Sequence, residues 1–427
     1  MFNYLLTNQL PDDSLLPSAH LDSLARKNLF IKRKSSKLSA AGVVHSLLSS
    51  VIDGNSSLAD IGLNLSHYQQ SNISRQGIHQ RLNHKAVEFM CDVNSSLLAQ
   101  KYDHSFALKS HCFKRILVED ASLIHMHSGN SKNFKGFGNR KGKTAAFKLD
   151  FCYDLLSGKS ISTEKIEAYD NDKKAGSKLV NDHVQTGDLV LRDMGYYKQS
   201  DFRNIEELGA SWLSKIPTNV NIKHEGKDFN EILKRTKLHC LDMEVELSNG
   251  AFKCRLVACR ATPQQAAEKR RRAKKQAHNH GKTPRKNAQL RNGWHLTITN
   301  VSQDQMNTQE MIDLYRLHWQ IETIFKAWKQ STNFKKCFNK KSNIHHQQCL
   351  IQASLLLLLL TMKFVVILQS NSSCWLSVRK IAKTLALHIM RIKSMDEIIL
   401  FNPDPRYVKM ESRSRSNLME LANTCLT

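Results

Sequence analysis

Three patterns of hydrophobic and polar positions follow one another along the chain. Up to about residue 105, apolar residues recur at helical spacing, as in SAAGVVHSLLSSVI from Ser39. From about residue 110, short apolar runs alternate with helical segments and predict the order β-β-β-α-β-α-β. Beyond residue 300 the spacing is helical again. The sequence therefore predicts a mixed α/β sheet with helical regions at both ends.

These patterns divide the chain into segments with different expected structures. They are a helical N-terminal domain (1–105), the first part of a sheet core (106–217), a basic β-strand insertion (218–300), the second part of the core (301–372) and a helical C-terminal region (373–427). The insertion begins where the α/β alternation stops. Its clearest element is a hairpin that turns at Asn249-Gly250, a dipeptide typical of tight hairpin turns.

A short helix pair is predicted over residues 57–83 of the N-terminal domain. Ser71 and Asn72 interrupt the first helix, and Ser74 can cap the second. The second helix directs Ile78 inward and presents polar side chains outward, including Arg75, Gln76 and Arg81. This size and polarity are typical of a helix-turn-helix that enters the major groove of DNA, although ordinary packing of two helices gives the same pattern.

One segment, LIQASLLLLLLTMKFVVILQ from Leu350, has the length of a membrane span. Gln352, Ser354 and Lys363 interrupt it, so its uninterrupted apolar part is closer to a buried core helix. We expect a core helix, and no membrane partner. The N-terminal MFNYLLTNQLPDD lacks a basic start and a long apolar stretch, so we do not expect a signal peptide.

The charge balance points to a polyanionic partner. Lys and Arg number 63 against 38 Asp and Glu, a formal net charge of +25. Nucleic acid is the first candidate, and an anionic membrane surface or an RNA scaffold are the alternatives. From Lys269 to Arg291 no acidic residue occurs. The residues expected to contact DNA phosphates there are Arg270, Arg271, Arg272, Lys274 and Lys275.

The 10 cysteines are scattered and form no C-x-x-C pair. This distribution fits a reducing cytosol better than a disulfide framework. Their spacing to histidines matches no standard zinc finger, so we do not expect a structural zinc ion.

The segment YRLHWQIETIFKAWK, from Tyr315 to Lys329, is predicted to form one helix with three faces. At about 100° per residue, His318, Glu322 and Lys329 fall within about 60° of Tyr315. This stripe borders an apolar face. A surface salt bridge explains such a stripe as well as a functional site does, unless the acid has partners elsewhere.

Two further acids occur in settings that match. Asp120 and Asp193 each follow an apolar run expected to be a buried strand, so both are expected near the carboxyl edge of the sheet. Carboxylate oxygens are the natural ligands of Mg²⁺, and three carboxylates can hold two such ions. Asp120, Asp193 and Glu322 are therefore the candidate metal ligands.

The chain resembles bacterial insertion-sequence transposases of the DDE type, in the insertion-sequence-four family with its Y-x2-R-x3-E-x6-K signature. Tyr315, His318, Glu322 and Lys329 have that spacing, and DMGYY from Asp193 resembles the second-aspartate motif. LVEDAS, around Asp120, resembles the first. The resemblance covers roughly residues 40–400.

The resemblance implies an RNase H-like core in which Asp120, Asp193 and Glu322 bind two Mg²⁺ or Mn²⁺ ions and catalyse cut-and-paste transposition. Nicking, hairpin formation, hairpin opening and strand transfer would each be a phosphoryl displacement. Tyr315, His318 and Lys329 would contact DNA. Trp294 would hold a base that leaves the stack, although it could equally belong to the core of the insertion. Double-stranded DNA (terminal inverted repeats and target), a homodimer and a cytoplasmic, nucleoid-associated location are also implied.

Two residues depart from the family pattern. His318 occupies the signature arginine's position, and Met194 stands where arginine usually follows the second aspartate. A histidine contacts phosphate singly and weakly above its pKa. Three alternatives therefore remain open: a DNA-binding regulator, an RNase H-like nuclease without strand transfer, and a degenerate, inactive transposase copy.

Overall fold

The structure is a computed structural model that describes residues 15–33, 37–100, 112–138, 142–248, 250, 252–279, 281, 283, 286–372 and 374–410. It divides into two units. Unit 1 comprises residues 1–107, 121–170 and 320–416, and unit 2 comprises residues 108–120, 171–319 and 417–427. The N-terminal residues examined for a signal peptide lie outside the described residues.

Helices and strands are numbered in chain order. The helices are α1 (Ser18–Lys27), α2 (Ala40–Asp53), α3 (Leu58–Gln69), α4 (Arg75–Arg81), α5 (His84–Ala99), α6 (Asp172–His183), α7 (Gln199–Glu207), α8 (Phe229–Arg235), α9 (Pro263–Asn279), α10 (Lys286–Arg291), α11 (Thr308–Leu317), α12 (Trp319–Ser331), α13 (Phe334–Cys337), α14 (Ile344–Ser370), α15 (Val378–Ile389) and α16 (Pro405–Val408). The strands are β1 (Arg115–Met126), β2 (Ala145–Asp154), β3 (Ser160–Glu167), β4 (Asp188–Arg192), β5 (Ser211–Lys215), β6 (Ile222–His224), β7 (Lys227–Asp228), β8 (Cys240–Leu247), β9 (Phe252–Arg260) and β10 (Trp294–Thr299). Short 3-10 helices cover Ser128–Asn130, Met194–Tyr196 and Met395–Leu400.

Unit 1 is built around α14, the Leu-rich helix. By length and composition this helix could cross a membrane, but 94% of its most apolar 18-residue stretch is buried inside the protein. It packs against α2, α5, α15 and β3. The prediction of a core helix is therefore confirmed. The hydrogen bond from Trp328 Nε1 to the Ser354 carbonyl (2.7 Å) attaches α12 to it.

The predicted helix pair is present in unit 1 as α3 and α4. The Ser74 side chain accepts a hydrogen bond from the Gly77 amide and caps α4, as expected. Ile78 is buried, whereas Arg75, Gln76 and Arg81 are exposed. The predicted hairpin of unit 1 also forms. β2 and β3 pair antiparallel, with Gly158 at a positive φ of 73° in the turn between them.

Unit 2 contains the parallel part of the sheet. The N-terminal half of β1 pairs parallel with β4, and β4 pairs parallel with β5. β10 then pairs antiparallel with β5, and β9, β8, β6 and β7 extend the sheet further. The core elements follow the chain order β1-β2-β3-α6-β4-α7-β5, which confirms the predicted α/β order.

The region from 218 to 300 contains helices as well as strands. β8 and β9 form the predicted hairpin. Gly250 has a positive φ of 92°, and Asn249 lies outside the described residues. The basic run, for which the sequence pattern predicts no particular element, forms α9.

One cysteine pair differs from the expectation of free thiols. Cys240 and Cys259 form a disulfide in unit 2. They are directly opposite each other in the β8–β9 register. Cross-strand pairing brought them together, and cysteine spacing alone could not show it.

Two sequence expectations about element boundaries are wrong. β1 does not end at Asp120 but continues to Met126. The signature segment is not one helix, since α11 ends at Leu317 and α12 begins at Trp319. The His318 amide donates to the Tyr315 carbonyl three residues back (3.1 Å), a 3-10 type bond that tightens the chain at this point.

Candidate active site

The parallel register of β1 and β4 places Asp120 and Asp193 at equivalent positions. Val118 is opposite Leu191, so two further residues along each strand lead to Asp120 and Asp193. Parallel neighbours in register lie about 4.8 Å apart and point to the same face. Both carboxylates are partly accessible. The register therefore brings these two predicted site residues together in unit 2.

The residues that precede the two aspartates form a buried ion pair. Arg192 Nη2 lies 3.3 Å from Glu119 Oε2, and both side chains have no exposed surface. Arg192 also contacts Asp201 Oδ2 (3.2 Å) and donates to the Gly176 carbonyl (2.5 Å). Because side chains alternate along a strand, this pair lies on the face opposite to the two aspartates.

Sequence reasoning missed this ion pair. The sequence signals it only by a charged residue that directly follows each apolar run, Glu119 in VED and Arg192 in LRD. A charge at a position that should be buried predicts a partner, because an unpaired buried charge is costly.

Tyr315 connects α11 to the second aspartate. Its hydroxyl lies 3.2 Å from the Arg192 carbonyl oxygen and 3.4 Å from Asp193 Oδ1. The side chain is 9% exposed, so the hydroxyl is held in place by packing. Asp193 is also 3.7 Å from Lys215 Nζ on β5, and both of these side chains are 46% exposed.

His318 is buried behind Tyr315 and does not extend into solvent. The two rings stack with centroids 5.7 Å apart, and the His318 ring hydrogen-bonds to the Glu119 backbone. Burial lowers the pKa of His318 to about 4, which outweighs the opposing effect of Asp193. The imidazole is therefore neutral at pH 7. This position weighs against the expected contact between His318 and a DNA phosphate.

Glu322 and Lys329 lie on α12 in unit 1. Glu322 is 43% exposed, and its Oε2 lies 3.5 Å from Lys326 Nζ. Lys329 Nζ donates to the Leu123 carbonyl (3.1 Å). The carboxylate of Glu322 is thus accessible. Its ion pair is with Lys326, four residues on, and not the i to i+7 pair with Lys329 that the stripe suggested.

The aspartate pair has the chemistry that a magnesium ion requires. Mg²⁺ typically takes one or two protein carboxylates and completes its shell with water and substrate phosphate. Asp120 and Asp193 supply two such carboxylates. Within the described residues, no group of three or more His, Cys, Asp or Glu side chains lies close enough together to hold a metal ion.

Trp294 begins β10 and is 4% exposed. The Arg260 guanidinium lies 4.5 Å from the centroid of its ring, in the position of a cation–π contact. This placement favours the interpretation of Trp294 as part of the insertion's core over a role in holding an extruded base.

The side chains that the sequence predicts to contact DNA phosphates lie on the basic helix α9. Arg270, Arg271, Arg272, Lys274 and Lys275 are all exposed. Arg271 and Arg272 both pair with Glu268, at 2.9 and 2.7 Å. An open groove of about 380 Å³ lies between α9 and β10, lined by Gln264, Gln265, Glu268, Lys269, Arg272 and His295.

Comparison with known proteins gives matches along most of the chain. The family model described as "Transposase DDE domain" matches residues 111–358. The transposase for insertion sequence element IS231B of Bacillus thuringiensis subsp. berliner is 27% identical over 342 residues, which cover 74% of this chain and 70% of that protein. The transposase for IS1151 of Clostridium perfringens is 22% identical over 377 residues, with 81% and 77% covered.

Among solved structures, the piggyBac transposase in a synaptic complex with hairpin DNA aligns with 96% of this chain and 82% of its own. The sequence identity is 13%, and the TM-score is 0.45.

Proposed function

The chain belongs to the DDE transposases, and from this premise we propose that Asp120, Asp193 and Glu322 form the site at which it cuts and joins DNA. The reaction would be cut-and-paste transposition of an insertion sequence. The observation that carries this proposal is the parallel β1–β4 register, which ends at Val118 and Leu191 and, continued by two residues on each chain segment, leads to Asp120 and Asp193. The residues just before them, Glu119 and Arg192, form a buried ion pair.

The metal ligands of this site would be the carboxylates of Asp120, Asp193 and Glu322. Bound as a pair, Mg²⁺ or Mn²⁺ ions would neutralise charge on the attacking and leaving oxygens of a phosphoryl displacement. The Tyr315 hydroxyl, 3.4 Å from Asp193 Oδ1, would orient that carboxylate. The buried Arg192 would fix the strand end from which Asp193 projects.

The exposed basic surfaces would hold the DNA. We assign α4, with Arg75, Gln76 and Arg81, to the terminal repeat, and the basic face of α9 to flanking phosphates. Lys329 would contact phosphate close to Glu322. Each step from nicking to strand transfer would use the same site, because each is an in-line displacement at phosphorus. We also propose that two copies of the chain form a dimer that bridges the two ends of the element, and that the protein associates with the nucleoid.

A cleavage assay tests this assignment. Purified protein is mixed with a labelled duplex of the element's own terminus, with Mg²⁺ or with EDTA. We expect nicks, hairpins and joined products from the wild type with Mg²⁺ only. Glu322→Gln should abolish them and keep duplex binding. Glu231→Gln is the matched control. Glu231 pairs with Lys234 within α8, away from α12, and its side chain is similarly exposed (51%).

The same assay separates the alternatives. Nicks without joining of a supplied 3′-OH end would indicate a nuclease. Tight binding with no cleavage at any metal concentration would indicate a regulator or a disabled copy. Cleavage that survives Glu322→Gln would contradict the assignment of the third acid.

A further inference from the structure

Lys215 forms the described ion pair of Asp193, one of the two aspartates of the proposed catalytic site. It ends β5, which pairs parallel with β4. Its Nζ lies 3.7 Å from Asp193 Oδ1 and 4.8 Å from the centroid of the Tyr315 ring. The amine is therefore close to both the Asp193 carboxylate and the Tyr315 ring.

The contact between Lys215 and Asp193 is loose. The separation of 3.7 Å exceeds a charge-assisted hydrogen bond of about 2.8 Å, and both side chains are 46% exposed. An ammonium group has three donors, so Lys215 retains donors for a second anion that approaches from solvent.

Lys215 has other positively charged side chains in its surroundings. Lys269 on α9 has its pKa lowered to about 8, by burial and by the charge of Lys215. Lys215, Lys269 and Arg316 all act on His295, whose pKa is lowered to about 4, chiefly by burial. Like charges gathered in this way repel each other unless an anion lies among them. Two members of this group, Lys269 and His295, line the groove beside α9.

His318 cannot supply the charge that the family signature places at its position. The side chain is 8% exposed, and its ring is bonded to the Glu119 backbone. An imidazole buried in this way does not reach a phosphate that approaches from solvent. The site therefore lacks one cation of the signature, and Lys215 places a cation 4.8 Å from the same Tyr315 ring.

We propose that Lys215 contacts the DNA phosphate adjacent to the bond that is cut, and so replaces the arginine that the family signature has at the position of His318. This inference rests on the proposed function and assigns one substrate contact within it. It also implies that the histidine by itself does not mark the chain as an inactive copy.

The first test is the salt dependence of DNA binding. Wild type, Lys215→Gln and the control Lys253→Gln are titrated with the terminal duplex at several salt concentrations, with Ca²⁺ so that no cleavage occurs. Loss of one phosphate contact should reduce the slope of log K against log salt by about 0.9 and weaken binding about tenfold at moderate salt. Lys253 is 76% exposed and 3.6 Å from Glu246 on the β8–β9 hairpin, so its change should leave the slope unaltered.

The second test is rescue. Lys215→Arg should keep the slope and the cleavage rate within about threefold of wild type, because the charge remains. A circular dichroism melt of Lys215→Gln should match wild type, since the residue is on the surface. An unchanged slope together with wild-type cleavage in Lys215→Gln would overturn the inference.

Failure of the inference can be told apart from failure of the proposed function. If the wild type does not cleave, the proposed function fails, and the salt slope still decides whether Lys215 contacts phosphate. If Glu322→Gln abolishes cleavage and Lys215→Gln changes neither slope nor rate, only the inference about Lys215 is lost.

Discussion

Replacement of Arg192 by methionine should destabilise unit 2 severely. Arg192 has no exposed surface and lies between the carboxylates of Glu119 and Asp201, which are 0% and 1% exposed. Arg192→Met removes the cation that the buried Glu119 carboxylate faces, whereas Asp201 keeps its pair with Lys198 (3.1 Å). Breaking a buried pair in this way costs about 3 to 5 kcal/mol. Domains are typically stable by only about 5 to 15 kcal/mol, so most of the margin would be lost.

Urea unfolding followed by circular dichroism measures this loss. Arg406→Met is the matched control, because Arg406 pairs with Asp404 on the surface, with its side chain 82% exposed. The control should cost less than about 1 kcal/mol. The double variant Glu119→Gln/Arg192→Met should recover part of the stability, since one buried charge is gone. A loss below about 1 kcal/mol for Arg192→Met would refute the claim that this ion pair supports the site.

Three further predictions concern other parts of the molecule. Burial lowers the pKa of His346 from 6.5 to about 4, so its contribution to stability is present above pH 6.5 and is lost as the pH falls towards 4. The free energy of unfolding, measured by urea titration, should fall by about 2 kcal/mol between pH 7 and pH 5, and by less in His346→Gln. Tyr315→Phe removes the hydroxyl beside Asp193 and should lower the Mg²⁺-dependent cleavage rate about fivefold with little change in duplex affinity, which single-turnover assays and gel shifts would check. Ser74→Ala removes the cap of α4 and should cost about 1 kcal/mol in thermal melts and weaken terminal-duplex binding; equal binding by wild type and variant would argue against α4 as the DNA-reading helix.

The element order was predictable because it depends on local patterns. Apolar runs bounded by turn residues locate β2, β3, β4 and β5, and Ser74 marks the start of α4. The boundaries at the site were not predictable. β1 continues through Asp120, since strand pairing beyond that residue decides its length, and the break at His318 depends on a ring buried against the Glu119 backbone.

The candidate site residues were predictable as a set only through signature spacing and resemblance. The supporting residues were not, because Glu119, Arg192 and Lys215 gain their meaning from pairing between strands. A charged residue at the end of an apolar run identifies a buried pair but not its partner. The Cys240–Cys259 disulfide was missed for the same reason, as two cysteines 19 residues apart carry no motif.

The alternation of Arg192 and Asp193 at the end of β4 also protects the fold against misfolding. If β4 slipped by one residue, its side chains would exchange faces. Asp193 would then enter the buried position beside Glu119 and Asp201, while Arg192 would be exposed. Three carboxylates would face the one cation described there, Lys198, whose Nζ lies 3.1 Å from Asp201 Oδ1. The slipped arrangement is thus disfavoured by charge. The same two residues at the proposed site thus also make its folding selective for a single strand register.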